Sequence, residues 1–434
     1  MLRRTDLRGY EGDLVDVLPR PLLDEAGPLA TVRAIIDDVR VRGDEAILEL
    51  GERFDGARPG SLVVDADEMQ AALSEIDVPL RTALEVSAES IRLHHEAQVR
   101  PGHGWERDGL SVRSMAVPVD RAGCYAPGGR ASYPSTVLMT AIPARVAGVG
   151  DVVVCVPPGP DGRIATVTLA AAAVAGVDAV HPVGGAQAIA ALAFGTESIR
   201  PVDVVVGPGN VYVALAKREV AGRVGVPSAF AGPSEVVVVA DATAPVGFAA
   251  IDVVVQAEHG PDGLAWLVTF DESVADSVEA EIDAITKASR RRSEIESTLA
   301  VSGHVVLVEG MEQAAAVVNH IAPEHLQLMV EDPQGMAARV RHAGAVFCGP
   351  WSPASLGDYV AGPSHVLPTA GTARFAGALS LADFTKDVHM VTADRSAVAA
   401  LGSHVVVLAE AEGLDAHAES LRRRLAAIER GDDV

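Results

Sequence analysis

The chain has 434 residues, a formal net charge of −24 and only 4% aromatic side chains. So acidic a surface argues against a nucleic-acid partner and against binding to anionic membranes. Hydrophobic residues make up 49% of the sequence, beside 41 Gly and 26 Pro; this implies a large Ala/Val/Leu/Ile core with many turns and, at this length, more than one domain.

The first residues, Met1-Leu2-Arg3-Arg4-Thr5-Asp6, lead into no apolar run, so no secretion signal is expected. The apolar stretches are too short or too interrupted to span a bilayer. Cys124, Cys155 and Cys348 show no paired spacing, which fits a reducing compartment and makes the cytoplasm the expected location. Residues 1–25 read as an N-terminal arm with a break at Leu18-Pro19-Arg20-Pro21. Helical periodicity follows over 28–100, through Leu29, Val32, Ile35, Ile36 and Val39 and later Ala83, Leu84, Val86 and Ile91.

From Val112 the texture changes. Val112 to Pro118 alternates as a strand does, and then apolar runs and Ala-rich helical runs take turns. Strands are predicted at 152–156, 179–183 and 202–206, with helices at 166–175, 186–194 and 211–220. A second series has strands at 236–240, 265–270, 304–308 and 345–348, with helices at 244–256, 274–289 and 312–319. The run 326–330 fits either a strand or a helix. The tail from about residue 381 carries a predicted strand, 405–408, and a charged amphipathic helix, 414–430. Such alternation predicts an α/β protein with two Rossmann-like parallel-sheet domains in tandem, a short N-terminal arm and a small C-terminal tail domain. The expected boundaries are 1–25 for the arm, 26–124 with 236–380 for a large domain, 125–235 for an inserted domain and 381–434 for the tail.

Chemistry-bearing residues cluster in short motifs. Pro323-Glu324-His325-Leu326 sets a carboxylate beside an imidazole, the two side chains most used to move protons. With Pro at the first helical position, this reads as a helix start, whose dipole would stabilise Glu324 and keep His325 neutral. An ordinary helix start with a dipole-complementing Glu is the competing account. Gly128-Gly129 after Tyr125-Ala126-Pro127, Gly184-Gly185 before Ala186-Gln187, and Gly207-Pro208-Gly209-Asn210 are glycine turns, and the latter two link a predicted strand to a predicted helix. Phosphates bind at such turns, although none matches G-x-G-x-x-G and plain tight turns would look the same. Gln256 and His259 share a helix face and could ligate a cation, or His259 could simply cap a helix end. Asp358 and His365 lie in a Gly/Pro loop suited to a metal, a substrate or an Asx-turn. Glu412-Gly413-Leu414-Asp415-Ala416-His417 opens the last helix, where the acids also serve as caps.

Together these segments resemble, in order and over nearly the whole chain, the histidinol dehydrogenase family. Ala231-Gly232-Pro233-Ser234-Glu235 and Gln256-Ala257-Glu258-His259-Gly260 belong to the same series. The resemblance implies oxidation of L-histidinol to L-histidine through histidinaldehyde with two NAD⁺, one Zn²⁺ per site, and a homodimer with exchanged tails. It implies Gln256, His259, Asp358 and a second subunit's His417 as Zn²⁺ ligands. Ser234, His325 and Glu412, with the metal ligands, would contact substrate; Tyr125, Gln187 and Asn210 would hold NAD⁺; Glu324 and His325 would be the acid/base pair. The large domain would then carry the metal and acid/base site and the inserted domain the NAD⁺ side. His365 receives no fixed role. Two other classes share some of these residues: a Zn²⁺-dependent hydrolase of a small nitrogenous substrate, and a non-enzymatic nucleotide-binding protein.

Overall fold

The computed structural model describes residues 2–18, 26–128, 131–228, 234–257 and 263–432. They fall into two compact units, Met1–Gln98 with Val119–Phe384 and Val99–Pro118 with Thr385–Val434. The strands in chain order are β1 (Arg3–Asp6), β2 (His103–Arg107), β3 (Leu110–Pro118), β4 (Arg121–Tyr125), β5 (Asp151–Cys155), β6 (Ala179–His181), β7 (Val204–Val206), β8 (Glu235–Ala240), β9 (Leu264–Thr269), β10 (Gly303–Leu307), β11 (His325–Met329), β12 (Ala345–Cys348) and β13 (Thr385–Ala393).

The first unit holds two parallel sheets. One is four-stranded in the order β6-β5-β4-β7. Its strands are short Val-rich runs because both faces are buried. Cys124, Val152 and Val154 enter one core, whereas Tyr125, Val153, Cys155 and Val205 enter the other. The helices Thr166–Ala175, Gly185–Phe194 and Val211–Val220 cover it as predicted. Gly176, at φ 69°, is the left-handed stop of the first. Helix Pro134–Ala147 was not foreseen; its Pro at the start and Pro143 inside obscure the periodicity. Strand order reverses at β4, which has β5 on one side and β7 on the other. Ligands in open α/β sheets sit at the carboxyl ends of such a switch point.

The other sheet is six-stranded, β1-β10-β9-β8-β11-β12, and parallel throughout. Val236, Val238 and Leu267 pack on one face, and Val237, Val239, Trp266, Leu326 and Leu328 on the other. Two expectations change here. Arg3–Asp6 is the edge strand of this sheet, and Leu7 and Leu18 are buried beside Trp266, so the first residues are part of the core architecture rather than an arm. The proline break at 19–21 lies outside the described residues.

The Pro-Glu-His-Leu motif is not a helix start. Helix Met311–Ile321 ends at Ala322 in the left-handed region, φ 54°, and the chain passes through Pro323 and Glu324 into β11. Pro323 cannot extend the preceding helix. The apolar run after it is only five residues long, which is strand length, and both its faces are buried.

The second unit is an antiparallel sheet, β13-β3-β2, followed by helices Arg395–Ala411 and Asp415–Arg430, which pack on each other. The predicted strand at 405–408 lies inside the first of these helices. Gly402 lets Leu425 lie against the helix there, and this packing outweighs the β-branched run. Val388, Met390, Val391, Val407 and Leu408 are exposed on this unit.

Candidate functional site

Parallel pairing of β8 with β11 sets His325 opposite Val236, so Glu324 and Glu235 meet at the amino ends of the two strands. Glu324 Oε2 accepts the Glu235 backbone N–H at 3.0 Å. Glu235 Oε1 accepts the Ala370 N–H at 2.9 Å. Both carboxyls are buried. His325 Nδ1 lies 3.7 Å from Glu324 Oε2, and its Nε2 lies 3.4 Å from Asp358 Oδ1, without the alignment of a hydrogen bond. Phe347 stacks on the imidazole with centroids 6.1 Å apart.

These contacts set the proton affinities. Burial raises the Glu324 carboxyl above the usual range, against the pull of His325. Burial also lifts Glu235 to about 8, and the charge of Glu324 adds to this. For His325, burial opposes the charged ring, yet Glu324 and Asp358 outweigh it and hold the imidazole up at about 9. Glu324 and His325 thus share a proton as one coupled system. A helix dipole does not tune them, because no helix starts there; neighbouring carboxylates and burial do.

Asp358 belongs to the short helix Ala354–Tyr359. Its carbonyl can only accept, so His365 donates from Nδ1 at 3.1 Å, and His365 Nε2 accepts from the Thr136 hydroxyl at 2.9 Å. Burial pushes His365 down, toward the neutral ring this chain of bonds requires. Thr136 and Glu235 are site residues that the sequence did not single out for a role. The signal for Glu235 was present: an acid opening a strand of otherwise unbroken Val and Ala.

At the carboxyl ends of the four-stranded sheet lies a cleft of about 1140 Å³, lined among others by Tyr125, Gly128, Pro157, Gly185, Gln187 and Asn210. The Tyr125 hydroxyl accepts the Gly185 N–H at 3.1 Å. Asn210 caps helix Val211–Val220, its Oδ1 accepting from Tyr212 and Val213 N–H. Gly207, at φ 107°, is required by sterics as well, since a Cβ there would meet the Tyr125 carbonyl oxygen at 2.0 Å. The three expected dinucleotide residues therefore converge on one cleft.

Other expected site residues are placed as follows. Ser234 immediately precedes β8, next to Glu235, whose backbone N–H Glu324 accepts. Gln256 is buried in helix Val246–Ala257, and its Nε2 has no partner among the described residues. His259, Gly129 and the segment 231–233 lie outside the described residues. Among the described residues no group of three His, Cys, Asp or Glu side chains gathers as a metal centre would. Glu412 ends helix Arg395–Ala411 and His417 sits in the first turn of the last helix, both exposed on the second unit. Burial pushes the Cys124 thiol up to about 12 and raises Cys155 and Cys348 as well.

The chain is similar to known proteins of one family. The family profile described as histidinol dehydrogenase matches residues 18–425. The histidinol dehydrogenase of Parasynechococcus marenigrum (strain WH8102) is 48% identical over 401 residues, spanning 91% of this chain and 90% of its own length. That of Cereibacter sphaeroides is 45% identical, with 98% of both chains covered. The crystal structure of histidinol dehydrogenase from Elizabethkingia anophelis matches with a TM-score of 0.93 at 32% identity, over 99% of both chains.

Proposed function

Because the chain belongs to the histidinol dehydrogenase family, we propose that it oxidises L-histidinol to L-histidine through histidinaldehyde, in two NAD⁺-dependent steps with one Zn²⁺ per site. The observation that carries this reading is the buried Glu324–His325 pair beside the half-buried Asp358, in the same unit as a glycine-turn cleft. The Zn²⁺-hydrolase reading would have no use for that cleft.

The donor set suits a borderline cation: a carboxylate oxygen at Asp358 and a buried Gln256 amide which, turned about its last bond, would put its oxygen where Nε2 now has no partner among the described residues. Gln256, His259, Asp358 and His417 of the partner subunit would hold Zn²⁺. When bound, the metal supplies a Lewis acid that anchors the amine and imidazole of histidinol. NAD⁺ supplies the hydride acceptor, held by Tyr125, Gln187 and Asn210.

The chain's own groups do the rest. Ser234, His325 and Glu412 contact histidinol, together with the metal ligands, and fix its carbinol carbon. With Asp358 committed to the metal, His325 loses one of the charges that raise it, and the imidazole can take the hydroxyl proton as hydride leaves that carbon. Glu324, whose Oε2 faces His325 Nδ1, takes a proton from water as the water adds to the aldehyde. As water adds, the aldehyde oxygen takes back the proton that His325 holds, and the freed imidazole then receives the hydrate's proton as the second hydride leaves. The raised thiols argue against a covalent cysteine route, since a thiolate is the nucleophile such a route needs. The exposed apolar side chains of the second unit support a homodimer whose tails are exchanged, and the unpaired cysteine spacing supports the cytoplasm as its location.

The decisive assay follows NADH absorbance on adding histidinol, before and after chelation and Zn²⁺ return. NADH formed only with metal is the expected result; histidinol consumed without NADH would refute the reading. For the tail, mixing inactive His259→Ala and His417→Ala chains should restore activity, and verified heterodimers that stay inactive would sink tail exchange.

A further inference from the structure

Resting on the NAD⁺ reading of the cleft, we propose that Asp55 is the residue that grips the adenosine ribose and excludes a 2′-phosphorylated cofactor. In dinucleotide-binding sheets an acid near the end of the second strand takes the ribose hydroxyls. Here that strand is β5, and it runs on into Val156-Pro157-Pro158-Gly159-Pro160, with no acid before Asp161. A carboxylate reaches the same place from elsewhere. Asp55 follows helix Asp44–Phe54, with its backbone N–H fixed on the Gly51 carbonyl at 2.8 Å.

Three observations place it. Asp55 lines the cleft together with Tyr125, Pro157 and Gly185. Its Oδ2 lies 3.2 Å from where a Cβ on Gly184 would stand, and the Pro157 ring lies 2.6 Å from the same point, so the carboxylate sits over the ends of β5 and β6. That is the adenosine side of the switch point, away from β7. Oδ2 is also buried and has no hydrogen-bond partner among the described residues. Asp55 is half-buried, and a buried carboxylate oxygen without a partner is unfavourable unless a ligand supplies a donor; burial does raise its pKa. A ribose diol offers two hydroxyl donors. A 2′-phosphate would bring a dianion against the same oxygens. The other lining acid, Asp161, differs: its Oδ1 already accepts the Arg163 N–H at 3.1 Å.

The test uses the whole enzyme with saturating histidinol. Asp55→Asn should raise KM for NAD⁺ about tenfold or more, the factor expected for losing a charged hydrogen bond, with kcat nearly unchanged. The ratio of kcat/KM for NADP⁺ over NAD⁺ should rise by a similar factor. The wild type should also discriminate against 2′-deoxyadenosine NAD⁺, and Asp55→Asn should not. Asp55→Ser repeats the measurements should the Asn variant fail to fold, and Asp161→Asn should behave as wild type. A wild type indifferent to the 2′-hydroxyl, or an effect confined to Asp161→Asn, would overturn the proposal. If histidinol oxidation needs no nicotinamide cofactor, the cofactor reading itself falls instead.

Discussion

The two sheets of the first unit are both parallel, yet they carry their polar groups at opposite ends. The proposed cofactor cleft lies where β4, β5, β6 and β7 end, and the proposed acid/base group lies where β8 and β11 begin. The first follows the usual rule for open α/β sheets; the second does not. The difference is one of physical means. The cleft is built from glycine turns, a helix cap and backbone N–H groups, which receive a large ligand. The pair is built from buried charges that perturb one another, which suits the proposed proton transfers. Damage to the pair should appear in the chemical step, whereas damage to the cleft should appear in cofactor affinity.

The sharpest break is His325→Asn. It should lower kcat by about 10²–10⁴-fold, the usual contribution of a positioned general base, and leave KM for NAD⁺ unchanged; a loss seen mainly in KM would merge the two regions. Glu324→Gln comes next. It should spare the first oxidation and slow hydration, so that aldehyde accumulates and can be trapped in single-turnover experiments. Equal loss of both steps would end the division of labour between the two residues. On the other side, Gly184→Ala sets a methyl against the rigid Pro157 ring at 2.6 Å. At about 1 kcal/mol of crowding or more, KM for NAD⁺ should rise about fivefold, with kcat retained at saturation.

The smallest effect is on stability. Burial lifts Glu235 from 4.5 to about 8. Between those values the folded protein keeps a proton that the unfolded chain has lost. Its contribution is therefore full below pH 4.5 and declines as pH rises through about 8. Glu235→Gln removes this titration, so the fall in melting temperature between about pH 5.5 and about pH 8 should be shallower in the variant. Parallel curves would show that Glu235 carries no such proton.

The same contrast explains what the sequence revealed. Helices Thr166–Ala175 and Val211–Val220 were legible to the residue, because Gly176 and Asn210 punctuate them locally. The cleft was legible through its glycine turns. The pair was legible only as two residue types: Ala322 and Pro323 turn the chain into a strand, and the environment of His325 comes from adjacent Glu324 and from Asp358 across the fold rather than from a helix dipole. Asp55 left no local mark, since its meaning depends on Pro157 and Gly184, more than a hundred residues away. Glu235 was visible as an acid in an apolar run, but its partner Glu324 is supplied by strand register.

The placement of β1 matters for anyone handling the protein. Those four residues shield the outer side of β10, and Leu7 plugs the cluster around Trp266. Trimming them, or crowding them with a fused tag, would leave a row of unpaired N–H and C=O groups on a flat parallel edge. Such an edge recruits strands from other molecules. An enzyme with every catalytic group intact could then be lost to aggregation, and a blank assay would be mistaken for a broken active site.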